Sequence, residues 1–218
     1  MNPVQIKICG VTNVKDATAA AELGAHMIGL NFYAQSPRCI APAAARQIVD
    51  ALPRGTCPVG IFVDASVEEV RTIAKLAGIR RVQLHGETTP EMCTELAREV
   101  HVIRAFSTDA RFRPQTAAAF GDCDVLIDAH DPNLRGGTGQ KCDWSVAREI
   151  LPFTRFLILS GGLNAQNVGR AITAVAPHAV DICSGIESAP GVKDHGALKK
   201  FITEVRATEC AASTASRF

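Results

Sequence analysis

The amino-acid sequence predicts a single α/β domain, a (β/α)8 or TIM barrel, over residues 1–207. Short β-branched runs alternate with alanine-rich amphipathic segments along almost the whole of the 218 residues, which is typical of parallel βαβ units. There are eight such runs. Eight parallel strands with intervening helices close naturally into a barrel, whereas an open doubly wound sheet of this length would have fewer strands and one nucleotide-binding glycine turn.

The predicted strands are followed in each case by a helix candidate. They cover residues 4–9, 27–32, 58–63, 81–84, 102–106, 125–128, 156–160 and 180–183. Residues 208–218 show no periodicity, and we predict a flexible C-terminal tail there.

Helix boundaries are marked by local capping signals. Asn13 precedes the first helix candidate, and Thr89 stands before a proline at the first helical position. Ser66 and Glu69 have the spacing of a capping box. Gly78 suits a helix C-terminus because glycine adopts the left-handed conformation without strain.

Composition narrows the class of protein. The 23 lysines and arginines nearly balance the 22 aspartates and glutamates, so the sequence predicts no strongly basic surface that would bind nucleic acid. The eight cysteines stand singly, without C-x-x-C pairs or zinc-type spacing, which favours free thiols and no metal. No signal segment or long apolar run is present. We therefore expect a cytoplasmic protein with no nucleic-acid partner and no membrane association.

Two glycine-containing turns follow the seventh and eighth predicted strands. Gly161 and Gly162 precede Asn164, which can cap the next helix, and Ser184 and Gly185 follow the eighth strand. Barrel enzymes frequently bind phosphate at these two loops, where backbone N–H groups and a helix N-terminus meet the anion. The alternative is that the glycines only permit tight turns.

Cys9 lies at the end of the first predicted strand, a catalytic position in this fold. A cysteine is usually a small buried hydrophobic residue. Cys9 differs from the other cysteines because Gly10 follows it and Lys7 shares its strand face, where a lysine would favour the thiolate.

Asp128 ends the sixth predicted strand after an apolar run, which also points its carboxylate toward the barrel opening. The alternative is an aspartate that caps its own loop. The following glycine-rich segment, residues 136–141, is predicted to be a mobile cover or support for the site, or only a flexible connection.

The sequence resembles the phosphoribosylanthranilate isomerase family from near its first residue to about residue 200. The resemblance rests on an ordered set of motifs, with one or more on most βα loops. They are KICGVT at 7–12, residues 29–38 ending in SPR, IFVD at 61–64, QLHG at 83–86, LIDA at 126–129, GGTGQK at 136–141, LSGGL at 159–163, SGIE at 184–187 and PGVKD at 190–194.

This resemblance implies an Amadori rearrangement of N-(5-phosphoribosyl)anthranilate to 1-(2-carboxyphenylamino)-1-deoxyribulose 5-phosphate in tryptophan biosynthesis, without a cofactor. Cys9 would be the general base and Asp128 the general acid. Arg38 would bind the anthranilate carboxylate, and Asp181 would lie near the ribose hydroxyls. The implied phosphate ligands are Gly161, Gly162, Ser184 and Gly185.

The resemblance also has departures. Cys183 stands where the family commonly has serine, and Cys39 follows SPR where an aromatic residue is frequent; both concern local packing. Without the resemblance, Arg38 would be interpreted as a solvated surface arginine.

Several alternatives remain at this stage. They are an epimerase or thiamine-phosphate-synthase-like barrel, a second activity on the analogous histidine-pathway aminoaldose, and a phosphosugar-binding barrel without catalysis. The expected partner is a small phosphorylated aminosugar, bound by a monomer or homodimer.

Overall fold

The eight predicted strands form a closed parallel barrel in chain order. The computed structural model describes residues 3–108, 112–128 and 144–215. Its barrel strands are β1 (Gln5–Ile8), β2 (Met27–Asn31), β3 (Cys57–Val63), β4 (Arg81–His85), β5 (His101–Ser107), β6 (Asp124–Asp128), β7 (Leu157–Ser160) and β8 (Ala179–Ile182). The predicted TIM barrel is thus confirmed, because β8 pairs in parallel with β1 and closes the sheet.

Helices cover the outside of the barrel and connect its strands. They are α1 (Val14–Glu22), α2 (Pro42–Ala51), α3 (Val67–Ala77), α4 (Pro90–Leu96), α5 (Trp144–Glu149), α6 (Val168–Val175) and α7 (His195–Ala215). Between β5 and β6 the described chain has a 3-10 helix, Pro114–Phe120, in place of an α-helix. Gly121, at φ 58°, ends this segment.

The predicted helix caps are present. The side chains of Asn13, Ser66 and Thr89 each accept a hydrogen bond from a backbone N–H in the first turn of their helix. Gly78 ends α3 in the left-handed conformation, with φ 72°. These contacts are local in sequence, which explains why the sequence alone predicts them.

The inside of the barrel is divided into an apolar and a polar region. An apolar cluster fills one part, and its members are Met27, Val59, Ile103, Ala105, Leu126, Ile158 and Ala179. Two residues further along their strands lie polar groups such as Asp128, Ser160 and Asp181. The polar region therefore occupies the carboxyl ends of the strands, hereafter the mouth, where barrel enzymes carry their active sites.

A short hairpin lies between β8 and the last helix. It begins after a 3-10 turn, Ser184–Ile186, and pairs β9 (Glu187–Ala189) with β10 (Val192–Lys193) in antiparallel fashion. Thr12 of the loop after β1 donates a hydrogen bond to the Gly191 carbonyl at the hairpin turn, over 2.6 Å. The hairpin is thereby attached to the mouth.

The last helix corrects the predicted C-terminal boundary. We expected a tail from residue 208, but α7 continues through Ala215. The Glu209 carboxylate accepts hydrogen bonds from the Val4 backbone N–H and from the Arg206 guanidinium, and these contacts hold this part of the helix against the start of β1. Among the described residues, no helix is both long enough and apolar enough to span a membrane.

Candidate active site

The mouth carries both predicted catalytic residues on the inner face of the barrel. Residues two apart on a strand share a face. Leu126 lies in the inner apolar cluster, so Asp128 of the same strand points inward as well. Lys7 is hydrogen-bonded to Asp181 inside the barrel, and Cys9 follows Lys7 on that face. Cys9 and Asp128 are both partly buried, so each lies at the boundary between the core and the mouth.

The Cys9 thiol lies next to a second thiol and a lysine. The Cys183 thiol hydrogen-bonds to Cys9 and lowers its pKa; burial opposes this change, and the positive charge of Lys7 reinforces it. The same hydrogen bond, followed by burial, raises the pKa of Cys183. Cys9 is therefore the member of the pair that ionises first, which is what a general base requires.

A buried ion pair lies beneath the Cys9 thiol on the inner face of the barrel. Lys7 Nζ lies 2.9 Å from Asp181 Oδ1, and the two side chains are 0% and 5% exposed. Ser160 Oγ donates to the other carboxylate oxygen of Asp181 over 3.3 Å. Burial alone would lower the pKa of Lys7, but the charges of Asp181 and Cys9 raise it above its usual value. The lysine is therefore charged, and it favours the Cys9 thiolate.

Asp128 is fixed through its strand neighbours. It pairs with Ser107 of β5 and with Ser160 of β7 in the parallel register. Its backbone carbonyl accepts from the Thr108 backbone N–H over 3.3 Å. Its side chain therefore lies on the same face of the sheet as the short hydroxyl side chains of Ser107 and Ser160.

His85 and Gln83 complete the polar part of the inner face. The Nε2 atoms of the two residues lie 2.6 Å apart. Burial, followed by the positive charges of Lys7 and Arg104, lowers the pKa of His85 to about 4. The imidazole is consequently neutral at neutral pH and adds no charge to the site.

Gly10 permits Arg38 to lie across the mouth next to the two thiols. A Cβ atom at Gly10 would stand 2.5 Å from Arg38 Cδ and 2.9 Å from Cys183 Sγ. Gly10 also has φ 69°, a conformation that favours glycine. The glycine that singled out Cys9 in the sequence thus provides room for the predicted carboxylate-binding arginine.

Two residues to which sequence reasoning assigned no role join this group. Glu187 accepts from Arg38 Nε over 2.9 Å and from Nη2 over 2.5 Å. Lys193 Nζ donates to Glu187 Oε1 over 2.8 Å and to the Cys9 carbonyl over 2.5 Å. Both belong to motifs noted above, SGIE and PGVKD, but their charges gave no indication of which groups they would contact.

The two glycine loops after β7 and β8 meet at the mouth. Gly161 and Gly162 have φ values of 97° and 59°, conformations favouring glycine. A Cβ atom at Gly185 would lie only 2.3 Å from the Leu163 carbonyl oxygen. Ser184 and Gly185 are exposed. Gly162, Ser184 and Gly185 therefore lie on one exposed surface, whereas Gly161 is buried; phosphate binding requires accessible backbone N–H groups.

The predicted capping role of Asn164 differs from what the structure shows. Helix α6 begins later, and its N-cap is Asn167. Asn164 Oδ1 accepts from the Gln166 and Asn167 backbone N–H groups over 2.9 and 3.1 Å, because an asparagine side chain readily closes a turn onto the residues just after it. The Asn167 side chain donates to the Gly162 carbonyl over 2.9 Å, which fixes the glycine turn. The glycine-rich segment 136–141 lies outside the described residues.

The fold and this group of side chains together define a TIM-barrel enzyme with its site at the mouth. The family model for N-(5'phosphoribosyl)anthranilate (PRA) isomerase matches residues 6–204. The N-(5'-phosphoribosyl)anthranilate isomerase of Thermotoga maritima is 40% identical over 206 residues, covering 93% of this chain and 98% of that protein. The chain therefore belongs to the phosphoribosylanthranilate isomerase family.

Solved structures agree with this assignment. The crystal structure of the Thermotoga maritima isomerase has a TM-score of 0.87 and 39% identity, covering 94% of this chain and 99% of that one. A structure of phosphoribosyl anthranilate isomerase in complex with reduced 1-(o-carboxyphenylamino)-1-deoxyribulose 5-phosphate has a TM-score of 0.84, 37% identity and the same coverage. A thiamine phosphate pyrophosphorylase from Pyrococcus furiosus is 16% identical with a TM-score of 0.64, so this similarity concerns the fold alone.

Proposed function

We propose that this chain converts N-(5-phosphoribosyl)anthranilate to 1-(2-carboxyphenylamino)-1-deoxyribulose 5-phosphate, an Amadori rearrangement in tryptophan biosynthesis. The observation that carries the proposal is the arrangement at the mouth: a thiol with a lowered pKa at Cys9 and a carboxyl group at Asp128 share the inner face of one barrel. The reaction needs a base and an acid in opposite protonation states, and two groups of different chemistry meet that need.

The proposed proton transfers follow the order of bond changes in the substrate. The Asp128 carboxylic acid protonates the furanose ring oxygen as the C1–O bond breaks, leaving an open-chain iminium ion. The Cys9 thiolate then removes the proton from C2, and the electron pair of that C–H bond neutralises the iminium as an enolamine. The enolamine tautomerises to the ketone. Each proton transfer of this kind contributes about 10² to 10⁴ in rate.

Binding at both ends of the substrate would hold C1 and C2 between the acid and the base. The glycine loops, with Gly161, Gly162, Ser184 and Gly185, would bind the phosphate through backbone N–H groups. Arg38 would meet the anthranilate carboxylate with its planar guanidinium. Asp181, next to Lys7, would lie near the ribose hydroxyls. The binding energy of the phosphate and carboxylate groups would thus orient the reacting carbons.

The activity is tested by adding purified protein to freshly made phosphoribosylanthranilate and following the decay of its anthranilate fluorescence. We expect faster decay than without protein, and a product that co-elutes with synthetic carboxyphenylaminodeoxyribulose phosphate. The histidine-pathway aminoaldose is assayed in parallel to measure any second activity. Decay at the uncatalysed rate with folded protein would refute the proposal.

We also propose a cytoplasmic location and a monomeric or homodimeric state. The seven described cysteines form no disulfide bond, which suits a reducing compartment. One solved relative is described as a monomer generated from the dimeric Thermotoga maritima isomerase, with 36% identity and a TM-score of 0.84. Light scattering of the purified protein tests the state directly, and a mass above that of two chains would contradict this part.

A further inference from the structure

The guanidinium of Arg38 uses one of its two edges inside the protein. Nε lies 2.9 and 3.1 Å from the two carboxylate oxygens of Glu187, and Nη2 lies 2.5 Å from Oε2. Within residues 3–108, 112–128 and 144–215, Arg38 Nη1 donates no hydrogen bond. The side edge, Nε and Nη2, is therefore occupied by Glu187, whereas the end edge, Nη1 and Nη2, carries the hydrogens available to a ligand.

Glu187 is itself held in place by groups of the β9–β10 hairpin. Its carboxylate accepts from Lys193 Nζ over 2.8 Å and from the Gly191 backbone N–H over 3.2 Å. The side chains of Glu187 and Lys193 are only 4% and 0% exposed. Burial alone would raise the pKa of Glu187, but the hydrogen bonds from Arg38 and Lys193 lower it to about 2. The carboxylate is therefore ionised and fixed at neutral pH.

The same cluster contacts the proposed base. Lys193 Nζ donates to the Cys9 carbonyl, as described above, and also to the Cys183 carbonyl over 3.5 Å. Arg38, Glu187 and Lys193, hereafter the anchor cluster, thus connect the carboxylate-binding group to the ends of β1 and β8. A shift of Glu187 would move Arg38 relative to Cys9.

The charges of the anchor cluster allow two possible roles of Glu187 to be distinguished by experiment. Two cations and one anion leave a net charge of +1 next to the mouth, but Glu187 still repels an incoming carboxylate. If Glu187 acted on binding only through its charge, its neutralisation would strengthen carboxylate binding. If it instead fixes the direction of the arginine, neutralisation would weaken that binding, because a bidentate contact depends on orientation.

We infer that Glu187, held by Lys193, is a positioning residue that directs the Nη1–Nη2 edge of Arg38 toward the substrate carboxylate. This inference rests on the proposed function, in which Arg38 receives the anthranilate carboxylate. In this view the SGIE and PGVKD motifs, which contain Glu187 and Lys193, together set the distance and angle between Arg38 and the proposed base, Cys9.

The test compares Glu187→Gln and Glu187→Asp with the parent. Steady-state kinetics give KM and kcat, and inhibition or ligand-induced thermal shifts give the affinities for anthranilate and for inorganic phosphate. We expect Glu187→Gln to lower kcat/KM by about 10- to 10²-fold, mainly through KM, and to weaken anthranilate binding. Phosphate affinity should stay parental. Glu187→Asp keeps the charge but is one methylene shorter, and it should weaken anthranilate binding as well.

The control is Glu99→Gln, which removes an exposed ion pair with Arg71, 2.8 Å in length, and should leave all of these constants unchanged. The inference would be overturned if Glu187→Gln bound anthranilate as tightly as the parent, or more tightly. If Glu187→Gln does not fold, parental anthranilate affinity in Glu187→Asp would overturn it instead. Equal loss of anthranilate and phosphate affinity would also overturn it, since general damage would explain both. Anthranilate binding is read without turnover, so an inactive parent would refute the proposed function separately.

Discussion

Lys7 and Asp181 form a buried ion pair inside the barrel, with Nζ 2.9 Å from Oδ1, and Cys9 follows the lysine on the same strand face. The pair connects the first and last strands at the point where the sheet closes, since Lys7 and Asp181 are register partners. A charge that supports the proposed base therefore also supports the closure of the fold.

Replacing Lys7 with methionine should destabilise the protein by about 3–5 kcal/mol, because the Asp181 carboxylate would remain buried without its partner. Urea denaturation gives the free energy of unfolding. The double variant Lys7→Met/Asp181→Leu should recover much of this loss. Arg46→Met, which removes an exposed ion pair with Asp50, should cost less than about 1 kcal/mol. Equal losses for the buried and exposed pairs would contradict the argument.

Cys9→Ser should lower kcat by at least about 10² with little change in substrate affinity, because an alcohol is a far weaker base than a thiolate. The fluorescence assay measures this change. The matched control is Cys210→Ser, the same substitution at an exposed position on α7, which should leave kcat unchanged. Turnover by folded Cys9→Ser protein close to the parental rate would rule out the proposed base.

Asp128→Asn should lower kcat to a similar extent, because the amide cannot donate the proton for ring opening. An already opened substrate analogue should partly restore turnover in this variant but not in Cys9→Ser, since ring opening precedes proton removal at C2. Asp122→Asn, at a highly exposed aspartate paired with Arg155, is the control. If the opened analogue rescued both catalytic variants equally, the assignment of acid and base would be wrong.

In a plot of kcat/KM against pH, Cys183→Ala should move the acid limb to higher pH. The hydrogen bond with the Cys183 side chain is the contact that most lowers the pKa of Cys9, so its loss raises that pKa toward the ordinary thiol value of about 8.5. Activity depends on the thiolate and therefore falls as pH decreases through this pKa. Cys183→Ser keeps a donor, and its limb should lie nearer the parental position. Superimposable profiles for the parent and the alanine variant would exclude this role.

Gly185→Ala should raise KM about tenfold, the effect expected from weakening one hydrogen bond to a charged group. The added Cβ would approach the Leu163 carbonyl oxygen to 2.3 Å, so the two glycine loops must separate. Inhibition by inorganic phosphate should weaken in parallel. Gly196→Ala is the control, because the φ of Gly196 lies outside the left-handed region and a Cβ there would approach one atom of a side chain, Asp194 Oδ1, at 3.2 Å. Unchanged phosphate inhibition would remove Gly185 from the proposed phosphate site.

The sequence by itself determined the barrel, the order of its strands and the positions of Cys9 and Asp128 at strand ends. These features depend on short-range patterns: the alternation of strand residues, and caps such as Asn13 and Ser66 that bond three residues ahead. The roles of Cys9, Asp128 and Arg38 came from the resemblance to a family, and they stay predictions until they are tested.

Tertiary structure decided which charged groups meet. Arg38 and Glu187 are separated by 149 residues in sequence, and Lys193 and Cys9 by 184. Neither spacing has a periodic signature, because these contacts exist only once the sheet closes and the hairpin packs against the loop after β1. The same reason applies to the last helix, whose Glu209 contacts Val4 at the opposite end of the chain. Local patterns specify the elements, and closure of the barrel specifies the partners of their side chains.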